Sequence, residues 1–89
     1  MYTKTSDTTA VIQTASHQFH LDSQPVDFSK IGIEADQEMI NEEQARATLH
    51  ANLINHFEQN PSSVDVFVAM VDANPSTAFT QFVNQNRLS

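Results

Sequence analysis

Eighty-nine residues without a single cysteine carry eleven acids against four bases, a formal net charge of −7. A chain of this size makes one domain at most and buries only about two thirds of the surface it exposes when unfolded, so its core is small. The absent cysteines exclude a disulfide framework, a thiolate zinc site and a Cys nucleophile, and stability has to come from packing or from a partner.

The N-terminal stretch MYTKTSDTTA has no apolar segment of the signal-peptide kind, and a soluble, intracellular chain is expected. Seven of the first sixteen residues are Ser or Thr, which predicts a mobile start. Residues 1–30 as a whole read as an extended or weakly β arm. Within it AVIQT and HQFHLD form a possible short hairpin, with Phe19 and Leu21 on one face and His20 and Asp22 on the other. No Asn-Gly or Asp-Gly turn joins the two. Pro25 interrupts the pattern, and DFSKIGI leads past the only glycine, Gly32, into an acidic stretch.

Residues 31–89 read as an acidic three-helix domain. The first helix is INEEQARATLHANLINHFEQ, with Ala45, Leu49, Leu53 and Phe57 recurring at spacing four, flanked by Ala47, Ala51 and Ile54. Asn41 and Gln44 have the form of a capping box with Ile40 as its staple, although EADQEMI holds no breaker and permits a start near Asp36. Glu42 and Arg46 stand four apart in the favourable order, worth about 0.3 kcal/mol on an open surface.

Asn-Pro-Ser recurs at Asn60 and Asn74, and we read both copies as punctuation. Asn caps a helix start, Pro suits the first helical position, and proline pushes its predecessor out of the α region. Glycosylation is excluded by the proline in the middle position. Between the stops, Val64, Phe67, Val68 and Val71 fit a helix over residues 62–73, while the alternation of Val64, Val66 and Val68 also fits a buried strand. The run Val66 to Val71 is the longest apolar one and falls far short of the ~20 residues of a membrane span. Ala78, Phe79, Phe82 and Val83 then define a short third helix ending near Arg87. The fold class expected is mainly α, with α+β as the alternative.

No catalytic, metal-binding or cofactor-binding residues are expected. His17 and His20 are three apart in an extended segment and point to opposite faces, and His50 and His56 diverge around their helix by about 240°. Glu42 and Glu43, as helix neighbours, do not face each other as an acid–base pair. One glycine cannot build a phosphate loop.

The feature that stands out is charge. Glu34, Asp36, Glu38, Glu42 and Glu43 fall within ten residues, and Arg46 is the only base between Ile31 and Asn86. Such a field repels nucleic-acid backbones and suits a basic protein partner. The role expected is non-catalytic protein–protein interaction, as a structural or accessory subunit of an assembly such as a virion or another multi-copy particle, with homo-oligomers included. The competing expectation uses the same five carboxylates, about 14 Å long if helical, as a nucleic-acid mimic that blocks a basic groove.

Overall fold

The computed structural model describes residues 1–89 and is closer to α+β than to mainly α. Three short strands, β1 (Tyr2–Lys4), β2 (Thr9–Gln13) and β3 (Gln18–Asp22), form an antiparallel meander in the order β1-β2-β3. A 3-10 turn over Phe28–Ile31 follows, then α1 (Gln37–Gln59), α2 (Ser62–Ala73) and α3 (Ala78–Gln85).

The Ser and Thr residues that suggested a mobile start are turn formers. In the β1–β2 connection the Ser6 hydroxyl accepts from the backbone N–H groups of Thr8 and Thr9 and lies 2.6 Å from the Thr9 hydroxyl. In the β2–β3 connection the Thr14 hydroxyl accepts from the His17 N–H at 2.9 Å and donates to the His17 carbonyl at 3.1 Å. Side-chain oxygens thus supply the local hydrogen bonds that an Asn-Gly turn would have met with its backbone.

The alternation expected of the strands holds. Register pairs Tyr2 with Ile12 and Ile12 with Phe19, and Ala10 with Leu21, on the face that meets the helices, while His20 and Asp22 are exposed. Ala10, Ile12 and Leu21 join Leu53, Phe57, Val64, Phe67, Val71 and Phe82 in one buried cluster. Its centre is aromatic: Phe57, Phe67 and Phe82 lie with ring centroids 5.1–5.9 Å apart, and Phe19 reaches Phe67 edge-on at 5.3 Å. Such pairs contribute about 0.5–1.5 kcal/mol each beyond the area they bury.

The region over 62–73 is a helix, buried through Val64, Phe67 and Val71. Both Asn-Pro pairs fall at helix boundaries, with one correction to their chemistry. The Asn60 side chain does not cap the following helix; its amide donates back to the His56 carbonyl and closes α1, while its own carbonyl accepts from Ser63. Asn74 likewise serves through its carbonyl, which accepts from Thr77 and Ala78, so α3 begins three residues beyond Pro75. After α3, Arg87 takes a left-handed conformation (φ 55°) and Leu88 donates back to the Val83 carbonyl, the hydrogen bonding of a Schellman stop with Arg where glycine is usual.

Two expectations for α1 are corrected. The helix begins at the earlier position: Asp36 is the cap, its carboxylate accepting from Met39 N–H at 2.9 Å, and Asn41 sits inside the helix. The apolar stripe works only from Ala47 onward, where Ala47, Leu53, Ile54 and Phe57 are buried, and Ala45 is exposed. At 1.5 Å per residue α1 is about 34 Å long, longer than either of the two shorter extents of the molecule, 25 and 24 Å. The radius of gyration, 14.0 Å, exceeds the roughly 12 Å of a compact chain of this length. The excess has a location: from residue 22 to residue 46 no residue is buried.

Candidate functional site

That coreless stretch contains the acidic cluster, seven of the eleven acids and two of the four bases. It comprises the chain leaving β3, the 3-10 turn, the left-handed Gly32 (φ 75°) that reverses direction, and the first half of α1. Asp27 stabilises the turn by accepting from the Ser29 N–H and hydroxyl, which holds its carboxyl below the usual carboxylate range.

A polar clamp fastens this stretch to α1. Arg46 donates from Nε to Glu43 Oε1 at 2.8 Å and from Nη2 to Glu43 Oε2 at 2.7 Å, a two-point ion pair. The same guanidinium donates to the carbonyls of Asp22 at 2.9 Å and Gln24 at 3.0 Å. Glu43 Oε2 also accepts from the Val26 N–H at 2.7 Å. His50 completes the set, its Nδ1 accepting from the Asp22 N–H at 3.0 Å. The expected Glu42–Arg46 pair is therefore replaced by Glu43–Arg46, three apart, because only that carboxylate also reaches the chain at Val26.

The electrostatics follow from the contacts. The hydrogen bonds from Arg46 and Val26 hold Glu43 down to about 2, so it stays ionised and cannot act as a proton donor near neutrality. Burial, then the neighbouring Arg46 charge, lowers His50, which fits a neutral ring whose unprotonated Nδ1 accepts from the backbone. The other histidines do not converge: His17 bonds to Ser16 at the hairpin turn and His56 packs edge-on against Phe82. No three His, Asp or Glu side chains are grouped as metal ligands.

The five acids singled out by the sequence have different roles here. Asp36 caps α1 and Glu43 is the clamp, with its side chain only 14% exposed. Glu34, Glu38 and Glu42 are exposed and take part in no ion pair. Glu34 and Glu43 also line a groove of about 750 Å³ between residues 25–35 and α1, whose apolar wall is Val26, Phe28, Ile33 and Ile40. Around it Val26 is 46% exposed, Ile31 59%, Ile33 44% and Met39 39%. Sequence reasoning missed this apolar component because Val26, Ile31 and Ile33 follow no helical or strand period. The signal available was their occurrence beside Pro25 and Gly32, in a segment too irregular to bury them.

No protein-family model matches the chain, and comparisons with curated proteins and with solved structures find no match. No helix is long and apolar enough to cross a membrane.

Proposed function

We propose that the chain is a non-catalytic protein-binding domain, a structural or accessory component of a larger assembly, which docks through the groove between residues 25–35 and the start of α1. One observation carries the reading: the groove and its exposed apolar side chains lie in the part of the molecule that has no core of its own. Apolar surface removed from water contributes about 25 cal/mol per Å², and here only a second molecule can remove it. The clamp serves this role by tying the chain at Asp22 and Gln24 to α1 beside the groove, and by holding Val26, which lines it, through Glu43.

The test uses Val26→Ser/Ile33→Ser, two exposed positions whose replacement leaves the core untouched. Cross-linked complexes from the native source are compared for the parent chain and the double variant, with thermal unfolding as the control for fold. Loss of the same partners at unchanged unfolding temperature is expected; equal recovery removes the groove from the interface.

A second reading, the acidic inhibitor of a basic nucleic-acid-binding groove, draws on Glu34, Glu38 and Glu42. It ranks lower because Asp36 and Glu43 are occupied within the chain and the five carboxylates do not follow one helical row. Charge neutralisation of the three free acids by Gln separates the readings, since a phosphate mimic would lose nearly all of its affinity and an apolar docking face only part.

A further inference from the structure

We infer that β1 is an association edge: it pairs with β1 of a second copy of the chain and joins the two sheets edge to edge. This contact lies on a different surface from the groove and is independent of it.

The open edge follows from the register. Met1 exchanges backbone hydrogen bonds with Gln13, and the Thr5 N–H donates to the Thr9 carbonyl. Antiparallel ladders alternate, so Thr3 is turned toward Val11 of β2, and the N–H and carbonyl groups of Tyr2 and Lys4 are turned away from the sheet. No loop or side chain bonds to those four groups. The opposite edge is treated differently, because the N–H and carbonyl of Asp22 at the end of β3 are taken by His50 and Arg46. Native sheets blunt an exposed edge with a proline, a bulge or an outward lysine. Here β1 has no proline, its register with β2 runs without a bulge, and Lys4 turns to the helix side, its Nζ 3.4 Å from Glu58 of α1.

The strand is complementary to itself. A two-fold axis makes the pairing antiparallel, and open groups then meet with Tyr2 opposite Tyr2, Lys4 opposite Lys4, or Tyr2 opposite Lys4. The second sets like charges against each other. Only the last engages all the open groups of β1 in both copies, with four backbone hydrogen bonds, and it places Thr3 against Thr3 at the centre.

A hollow beside the edge suits what this register delivers. Residues opposite each other in a sheet share a face, so Lys4 of the second copy enters on the helix side next to Tyr2. There a cavity of about 300 Å³ is lined by Tyr2, Phe57, Pro61 and Val64 together with the carboxyl-bearing Glu58 and Asp65. The apolar lining fits the stem of a lysine and the two carboxylates fit its ammonium. Asp65 has no ion pair within its own chain. The hollow therefore selects a strand with lysine opposite Tyr2, and β1 itself carries one at that position. A contact this short is weak alone and gains strength where copies are held close together.

Sedimentation equilibrium of the full chain, with any tag at the C-terminal end, from about 10 μM to about 1 mM reads the association. The mass should rise toward that of a dimer, and amide exchange of Tyr2 and Lys4 should slow with concentration while that of Thr3 does not. Lys4→Pro removes an open N–H that β2 does not use, and should leave a monomer at every concentration with the unfolding temperature little changed. Lys4→Glu and Glu58→Lys each set like charges across the contact and should weaken association about tenfold or more when alone. An equimolar mixture of the two should recover a mixed dimer, since each supplies the charge the other lacks.

A monomer throughout the range overturns the inference. So does a mixture that fails to recover, which decides the matter alone if Lys4→Pro does not fold. A dimer kept in folded Lys4→Pro but lost in Val26→Ser/Ile33→Ser overturns it too, and assigns self-association to the groove.

Discussion

The aromatic body and the acidic projection solve the problem of a small chain in opposite ways. Five of the six phenylalanines, Phe19, Phe57, Phe67, Phe79 and Phe82, meet across the sheet and all three helices. The sixth, Phe28, lies in the projection and lines the groove. In the body, hydrophobic burial defines the structure and the polar links are peripheral, as where Tyr2 and Lys4 both reach Glu58. In the projection no side chain is buried, and hydrogen bonds from one arginine take the place of a core. A surface held by polar clamps keeps its apolar side chains available, which a hydrophobic core cannot do.

Phe67→Ala should divide the two regions most sharply. It removes the ring at the centre of the cluster and should cost about 3–5 kcal/mol in urea unfolding, whereas Phe28→Ala, half-buried at the groove, should cost under about 1 kcal/mol. Comparable losses at the two positions would mean that the projection has a hydrophobic core after all.

Arg46→Met comes next. It leaves the Glu43 carboxylate and the carbonyls of Asp22 and Gln24 without their donor, a loss of about 1–3 kcal/mol. The damage should be local, so trypsin cleavage after the exposed Lys30 should speed up about tenfold while near-ultraviolet signals from the aromatic body persist.

The pH response should separate the regions by sign. Glu43 and His50 both titrate lower in the folded chain than in the unfolded one, so falling pH protonates the unfolded state first and stability drops. Their contribution is complete above about pH 6.5; the His50 part declines below that value, and the Glu43 part is lost from about pH 4.3 toward 2. In the body, burial and Glu58 push Tyr2 up to about 12, so its contribution is present below pH 10 and is lost as pH rises through 12. Urea unfolding across pH should lose its lowest acid phase in Glu43→Gln and its alkaline phase in Tyr2→Phe. The smallest effect expected is a gain: Arg87→Gly relieves the left-handed residue after α3 and should add about 0.5–1 kcal/mol at unchanged fold.

The sequence was most legible where residues repeat with a period. Phe57, Val64, Phe67, Val71, Phe82 and Val83 were placed by helical spacing, and Phe19 and Leu21 by strand alternation, since a buried face imposes its period on the chain. Boundaries were less legible, because Asp36 and Asn41 are both capable caps and only the fold of the preceding loop chooses between them. The clamp was not legible at all. Glu42 and Glu43 are equivalent partners for Arg46 on an isolated helix, and the distinction comes from Val26, seventeen residues away. The acidic cluster was visible as composition, but its division into a cap, a clamp and three free carboxylates depends on that same tertiary contact.

Residue-resolved amide exchange under native conditions tests the central claim most directly. In the intact chain, amides of residues 26–35 and the first two turns of α1 should open at free energies well below that of global unfolding, while those of β2, the C-terminal half of α1 and α2 exchange only through it. Uniform protection from residue 2 to residue 85 would contradict a projection held by its clamp alone.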